Sequence, residues 1–111
     1  MGERSGAELL PGTLFMMILQ TLNATPLHGY AIAKRIKQSS KGALVIEEGS
    51  LYPALNRMLV RGWLAAEWGT SENNRRARFY RLTPDGRKQL KKESEAFDHL
   101  MRSIQLVMRT Q

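Results

Sequence analysis

Three arginines fall within four consecutive positions of the sequence, at Arg75, Arg76 and Arg78. A guanidinium group is permanently charged, and its fork of N–H donors matches the oxygens of a phosphate. The polar residues 69–74 that precede the arginines have the composition of a turn between two strands. We therefore expect an arginine-bearing hairpin tip that binds phosphates or enters a minor groove. An ordinary solvated turn is the alternative.

Residues 50–61 are a second segment that could contact a nucleic acid, because their apolar residues recur with helical spacing. The predicted buried face comprises Leu51, Tyr52, Leu55, Met58 and Leu59, and the other face comprises Ser50, Pro53, Ala54, Arg57 and Arg61. Small side chains at Ser50 and Ala54 would let the helix lie close to a nucleic acid. Arg57 follows one turn later. Pro53 is tolerated in a first turn, so it predicts where the helix begins. The alternative is that Ser50 only caps the helix and Arg57 is a solvated charge.

Residue types for catalysis or metal binding are sparse. The sequence has no cysteine, which excludes disulfides, thiolate metal sites and thiol nucleophiles. His28 and His99 are the only histidines, and neither has a metal-ligand spacing or a nucleophile nearby. Acidic residues are scattered, and no glycine-rich phosphate loop follows a strand. We therefore expect no enzymatic activity, no cofactor and no metal.

Charge and hydropathy narrow the class of protein. The 111 residues can bury one modest core, and the net charge of +7 biases the surface toward phosphates, acidic partners or anionic lipid. Residues 34–92 contain 14 Lys and Arg against five acids, so the excess is localised. The longest apolar stretch, around residues 14–19, is far shorter than the roughly 20 residues that span a bilayer. The first residues lack a signal-peptide layout, so we expect a soluble, cytoplasmic protein without membrane contact.

The helices and strands that must position these residues are predicted from the spacing of apolar residues and from the glycines and prolines that interrupt it. Helices are predicted over about 11–23, 27–39 and 50–61, a short strand over 43–46, and a two-stranded hairpin from 63–68 and 78–82. Pro11 suits the first turn of the first helix. Tyr30 is predicted to join the core from the second helix, where Gly29 permits close helix packing. Gly62 is predicted to cap the third helix in a left-handed conformation.

A long final helix is predicted from Thr83, a good N-cap followed by Pro84, to about Thr110. One face of this helix follows alternating spacings of four and three residues through Leu90, Ser94, Phe97, Met101, Ile104 and Met108, with Leu100 and Val107 beside it. A helix of this length cannot bury such a stripe against so small a domain. A partner helix, and therefore dimerisation, is implied.

The order of elements indicates a mainly α fold with a small β-hairpin, namely a winged helix-turn-helix with a long C-terminal dimerisation helix. We expect a DNA-binding part over residues 1–83 and a dimerisation helix over residues 84–111, forming one compact domain overall. Three helices followed by a basic hairpin suit double-stranded DNA, because the major groove admits a helix and cations are needed at the flanking phosphates.

Several short motifs together resemble the PadR family of bacterial regulators. They are Pro11-Gly12-Thr13-Leu14, Leu27-His28-Gly29-Tyr30 with Ile32, Gly49-Ser50-Leu51-Tyr52-Pro53-Ala54-Leu55 with Arg57-Met58, Gly62-Trp63-Leu64, and Phe79-Tyr80-Arg81-Leu82-Thr83. The resemblance spans roughly residues 10–90. It implies a homodimeric repressor with each third helix in a major groove and each hairpin against the adjacent backbone. The implied DNA contacts are Lys34, Ser50, Tyr52, Pro53, Ala54, Arg57, Arg75, Arg76 and Arg78. For Tyr52, the ring fits the apolar face while the hydroxyl could reach a phosphate.

The single C-terminal helix resembles that of the short PadR subgroup. Some short members sandwich flat compounds between aromatic residues at the dimer centre, which implies a small-molecule effector as a further partner. In this chain the last helix has no tryptophan, and Phe97 is its one aromatic residue. Phe15, Phe97 and Leu100 are the candidates for lining such a cavity.

Two other functions are consistent with the same residues. The chain could be a protein-interaction module whose apolar C-terminal helix docks a foreign helix, with the charge serving solubility. It could also coat nucleic acid without sequence preference, in which case loss of Arg57 would weaken binding to all sequences equally.

Overall fold

The computed structural model describes residues 12–110, so the expectation for Pro11 lies outside the described residues. The elements are α1 (Thr13–Ala24), β1 (Leu27–His28), α2 (Gly29–Ser39), α3 (Glu48–Val60), β2 (Leu64–Thr70), β3 (Arg76–Leu82) and α4 (Pro84–Arg109). The predicted order of helices, hairpin and long final helix is confirmed. The fold is mainly helical, with one small antiparallel sheet.

One core connects the first three helices to the sheet. Its most deeply buried side chains are Ile18, Leu19, Ile32, Leu51, Leu55 and Met58. Burying a Leu or Ile side chain fully stabilises a fold by about 1.5–3 kcal/mol. Leu51, Leu55 and Met58 confirm that part of the predicted buried face of α3, and the core therefore fixes which side of α3 remains available to a ligand.

The sheet has three strands in the order β1-β3-β2, so the prediction of a two-stranded hairpin is incomplete. Leu27 pairs with Tyr80 and His28 with Phe79. We expected Leu27 to start the second helix, but a two-residue strand has no periodicity, and its partner lies about fifty residues away in the chain. His28 has extended backbone angles, and its Nδ1 accepts from the Ala31 N–H at 3.3 Å, which caps α2.

The strand predicted over residues 43–46 is wrong, because this segment is an irregular connection. α2 ends in a left-handed turn in which the Gly42 N–H bonds to the Lys37 carbonyl at 2.8 Å, with φ +54° at Lys41 and +86° at Gly42. Ile46 is buried while Val45 is exposed. The apolar run therefore supplies the buried Ile46 and the partly buried Leu44 to the core and has no strand partner.

α3 begins at Glu48, two residues before the predicted start at Ser50 and five residues before Pro53. The Glu47 carbonyl accepts from the N–H groups of Ser50 and Leu51 at 3.0 and 2.9 Å, which starts the helix. Pro53 lies in the second turn and removes one intrahelical bond, the one that an N–H at this position would donate to the Gly49 carbonyl. The proline is therefore tolerated inside the helix and does not mark its first turn.

α4 is anchored to the rest of the fold at its N-terminus. The Thr83 hydroxyl accepts from the Gly86 N–H at 3.0 Å, as predicted for an N-cap, and lies 3.0 Å from the Trp63 carbonyl. Leu90 is only 8% exposed and belongs to the protein's own core. Its predicted role in dimerisation is therefore wrong, because its side chain is already buried against the same protomer.

Neither a membrane-spanning helix nor a metal cluster is found within residues 12–110. No helix in this part of the chain is both long and apolar enough to cross a bilayer. No group of three or more His, Asp or Glu side chains there could hold a metal ion.

Candidate nucleic-acid interface

The exposed face of α3 differs from the predicted one. Ala54 is 2% exposed and lies in the core, so its predicted place on the outer face is wrong, and Ser50 is half-buried. The exposed side chains are Glu48, Tyr52, Pro53, Asn56, Arg57 and Val60. Sequence reasoning missed Asn56 and Val60, although both follow Pro53 at helical spacing. Ala54 was misplaced because its small side chain fits either face equally well.

Tyr52 packs across the start of α2. Its hydroxyl and ring edge occupy the space that a Cβ on Gly29 would need, with Cε1 and Cζ 2.7 Å from that position. Partial burial, then the nearby Glu48 carboxylate and Tyr80, raise the pKa of the Tyr52 phenol. The phenol therefore keeps its proton at neutral pH and can donate a hydrogen bond to a phosphate oxygen. The predicted close packing at Gly29 is confirmed.

Arginine and aromatic side chains alternate on one face of the hairpin formed by β2 and β3. Trp68 pairs with Arg78, and Ala66 pairs with Tyr80, so these side chains share a face. The Arg76 guanidinium lies 4.7 Å from the Trp68 ring centre, and that of Arg78 lies 5.9 Å from the Tyr80 ring centre. Such contacts hold a guanidinium in place while leaving its edge free to bind phosphate.

The hairpin and α3 border one open cleft of 570 Å³, which we call the wing cleft. Its lining includes Tyr52 from α3, Gly29 and Tyr30 from α2, and the hairpin residues Trp68, Arg75, Arg76, Arg78 and Tyr80. The fold therefore brings Tyr52 and all three predicted hairpin arginines to one concave surface. Ser50, Pro53 and Arg57 do not line this cleft.

Lys34 lies in an adjoining groove of 660 Å³ along α2, together with Lys37 and Lys41. Tyr30 borders both this groove and the wing cleft. It is 65% exposed, so the prediction that it joins the core is wrong. Gly29 and Ile32 take the buried positions at the start of α2, which turns Tyr30 outward. Tyr30, Lys37 and Lys41 are therefore surface residues that extend the basic region and that sequence reasoning did not assign to it.

The apolar stripe of α4 is largely exposed beyond Phe97. Phe97 and Met101 are half-buried, and Phe97 lines a recess of 140 Å³ between α1 and α4. Leu100, Ile104, Val107 and Met108 are 42%, 40%, 70% and 72% exposed. Within residues 12–110 the main contacts of α4 are with α1 and β3, and Val107 and Met108 are the most exposed part of the stripe.

Solved structures of bacterial regulators resemble this chain over most of its length. A transcriptional regulator from Clostridium thermocellum is 31% identical, with a TM-score of 0.78 over 85% of this chain and 91% of its own. A PadR family transcriptional regulator from Eggerthella lenta is 29% identical, with a TM-score of 0.77 over 90% of this chain and 85% of its own. No curated protein matches the chain significantly.

The family comparison covers the helices and the hairpin that build the wing cleft. The PadR-like family of transcriptional regulators matches residues 18–92, which is more than half of the chain. The match includes α2, α3, the hairpin and the anchored start of α4. The chain therefore belongs to the PadR-like family, whose members are transcriptional regulators and not enzymes.

Proposed function

We propose that this protein is a homodimeric repressor that binds a pseudo-palindromic operator in double-stranded DNA. The observation that carries the proposal is the wing cleft, because Tyr52 of α3 and Arg75, Arg76 and Arg78 of the hairpin line the same concave surface. In a winged helix-turn-helix, α3 enters the major groove. The hairpin arginines then reach phosphates or the minor groove beside it.

Exposed cations on α2 and on the hairpin support contact with the DNA backbone. Lys34, Lys37 and Lys41 lie along the α2 groove, and the three arginines lie along the wing cleft. Salt-bridge partners are recorded for none of these six cations within residues 12–110. They are therefore available to phosphates, and their contacts would make the affinity fall steeply with salt.

The exposed stripe of α4 supports the dimer. Ile104, Val107 and Met108 present apolar surface in the half of the helix that leaves the protein's own core. Packing against the same stripe of a second copy would bury it and relate the two α3 helices by two-fold symmetry. The operator would then have half-sites about 34 Å apart, one helical turn of DNA.

Repression would follow if the dimer occupies promoter DNA in the cytoplasm and blocks access to it. A small-molecule effector has less support, because the recess that Phe97 lines holds 140 Å³, against about 300–1,000 Å³ for ordinary ligand pockets. An effector would have to bind two states of the dimer with unequal affinity.

The test is binding of the purified protein to its own upstream promoter DNA and to a scrambled sequence of equal length. Mobility shifts across about 50–200 mM salt should show a cognate preference that persists while the affinity falls. Equal binding to both sequences would favour non-specific coating. A protein that is monomeric in sedimentation and binds neither DNA would favour a protein-interaction module.

A further inference from the structure

The centre of the exposed face of α3 has few hydrogen-bonding side chains. Positions three and four residues apart lie next to one another on a helix. Asn56 is therefore flanked by Pro53 on one side and Val60 on the other, and Gly49 lies one further turn toward the N-terminus. All four residues are exposed, with Val60 at 87%. Pro53, Val60 and Gly49 have no side-chain donor or acceptor, so Asn56 is the polar side chain in the middle of this face.

The flanking residues leave Asn56 free and accessible. Its amide has no hydrogen-bond partner recorded within residues 12–110. Gly49 is open toward solvent, since a Cβ there would meet nothing within 4 Å. Proline, valine and glycine next to the amide let the helix backbone approach a groove floor closely. Tyr52 and Arg57 stand at the two rims of the face, where phosphates would lie if α3 enters a major groove.

An asparagine amide has one acceptor and two donors in a plane, which matches the N6 donor and N7 acceptor of adenine in the major groove. The other three bases do not present that pair of groups at the same positions. We propose that Asn56 determines specificity by reading an adenine in each half-site. This inference rests on the proposed function, because it requires α3 to lie in the major groove.

In vitro selection from random double-stranded DNA tests the inference with three proteins. The wild type should enrich a two-fold symmetric motif with one invariant adenine in each half. Asn56→Ala should still enrich the rest of the motif but lose the preference at that position by about tenfold. Gln20→Ala, which removes an exposed amide on α1, is the matched control and should enrich the wild-type motif. Asn56 is exposed and alanine favours helices, so the variant should fold.

The outcomes separate this inference from the proposed function. A motif that is the same for wild type and Asn56→Ala, or weakening that is uniform over all sequences, would overturn the role of Asn56 and leave operator binding intact. The absence of any enriched motif for the wild type would overturn both.

Discussion

The buried ring of His28 joins the start of α2 to the tip of the hairpin through Glu72. Its Nδ1 accepts from the Ala31 N–H, so in the neutral ring the proton lies on Nε2. Nε2 lies 3.3 Å from Oε1 of Glu72, and the edge of Phe79 packs against the ring with 5.4 Å between ring centres. Glu72 precedes the arginines Arg75 and Arg76 by three and four residues, so we expect this contact to help position them.

Two substitutions at Glu72 separate its hydrogen bond from its charge. Glu72→Gln and Glu72→Ala remove the same charge near the DNA, but only the glutamine can still accept from His28. We expect Glu72→Ala to bind operator DNA more weakly than Glu72→Gln, by about threefold, because the hairpin tip loses its contact. Fluorescence anisotropy at fixed salt would measure the difference. Equal affinities would show that the contact does not position the arginines.

Acid should release the same contact. The hydrogen bond from its own backbone N–H, followed by the bond from His28, lowers the pKa of the Glu72 carboxyl. A lowered carboxyl pKa means that the contact stabilises the fold above the ordinary value of about 4.3 and is lost as the pH falls through the folded value. An NMR titration should show Glu72 and the hairpin-tip amides shifting together below about pH 4.3. Shifts of the tip amides that are complete above that pH would contradict this prediction.

Gly29→Ala should displace Tyr52. The added Cβ would overlap the Tyr52 ring, but this ring is the far end of a side chain that can rotate away. We expect a loss of about 1–3 kcal/mol in the free energy of unfolding, measured by urea denaturation. In a Tyr52→Ala background the same glycine substitution should cost much less, and this double-mutant cycle isolates the contact. If Gly29→Ala costs as much stability in the Tyr52→Ala background as in the wild type, the added Cβ does not conflict with the Tyr52 ring.

Local signals in the sequence predicted most of the fold. The apolar spacing of Leu51, Leu55 and Met58 fixed the buried face of α3, and Thr83 with Pro84 marked the start of α4. β1 was missed because Leu27 and His28 form a strand only by pairing with Tyr80 and Phe79, far along the chain. Periodicity describes contacts within an element and contains no record of such distant pairing.

The candidate interface was predicted only in part, because contacts between distant elements decide which of its residues are exposed. The hairpin arginines were visible as a charge cluster, and Lys34 as an exposed cation on α2. Ala54 and Tyr30 were placed on the wrong sides because an alanine or a tyrosine fits either environment. Their burial depends on which side of each helix meets the core, and this is set by contacts between elements.

Gly86→Ala should destabilise the fold much more than Gly29→Ala. A Cβ at Gly86 would overlap the backbone carbonyl oxygen of Trp63, which cannot rotate away, and would lie 2.8 Å from Cδ1 of Leu82. We expect destabilisation at or above about 3 kcal/mol in thermal or urea denaturation. Gly49→Ala is the control, because its added Cβ meets nothing. Equal stability of the two variants would contradict the close approach of α4 to Trp63.

Trp68 should support operator binding through its aromatic ring and not through its size. The Arg76 guanidinium lies over this ring, and an exposed cation–π contact is worth about 0.5–1 kcal/mol. Trp68→Ala should therefore weaken operator binding about two- to fivefold, while Trp68→Phe retains most of the affinity. Binding isotherms at one salt concentration would measure both. A phenylalanine variant as weak as the alanine variant would show that Arg76 does not depend on the ring.

Two substitutions on opposite faces of α4 test the dimer. Ile104 lies on the apolar stripe and is 40% exposed, whereas Leu106 is 64% exposed and, two residues on, lies about 200° around the helix. If the stripe forms the proposed dimer interface, Ile104→Glu would bury a charge there, so we expect sedimentation equilibrium to show a monomer and operator affinity to fall. Leu106→Glu adds the same charge away from the stripe and should remain dimeric. If Ile104→Glu also remains dimeric, or if Leu106→Glu alone dissociates, then α4 does not use the predicted stripe to pair.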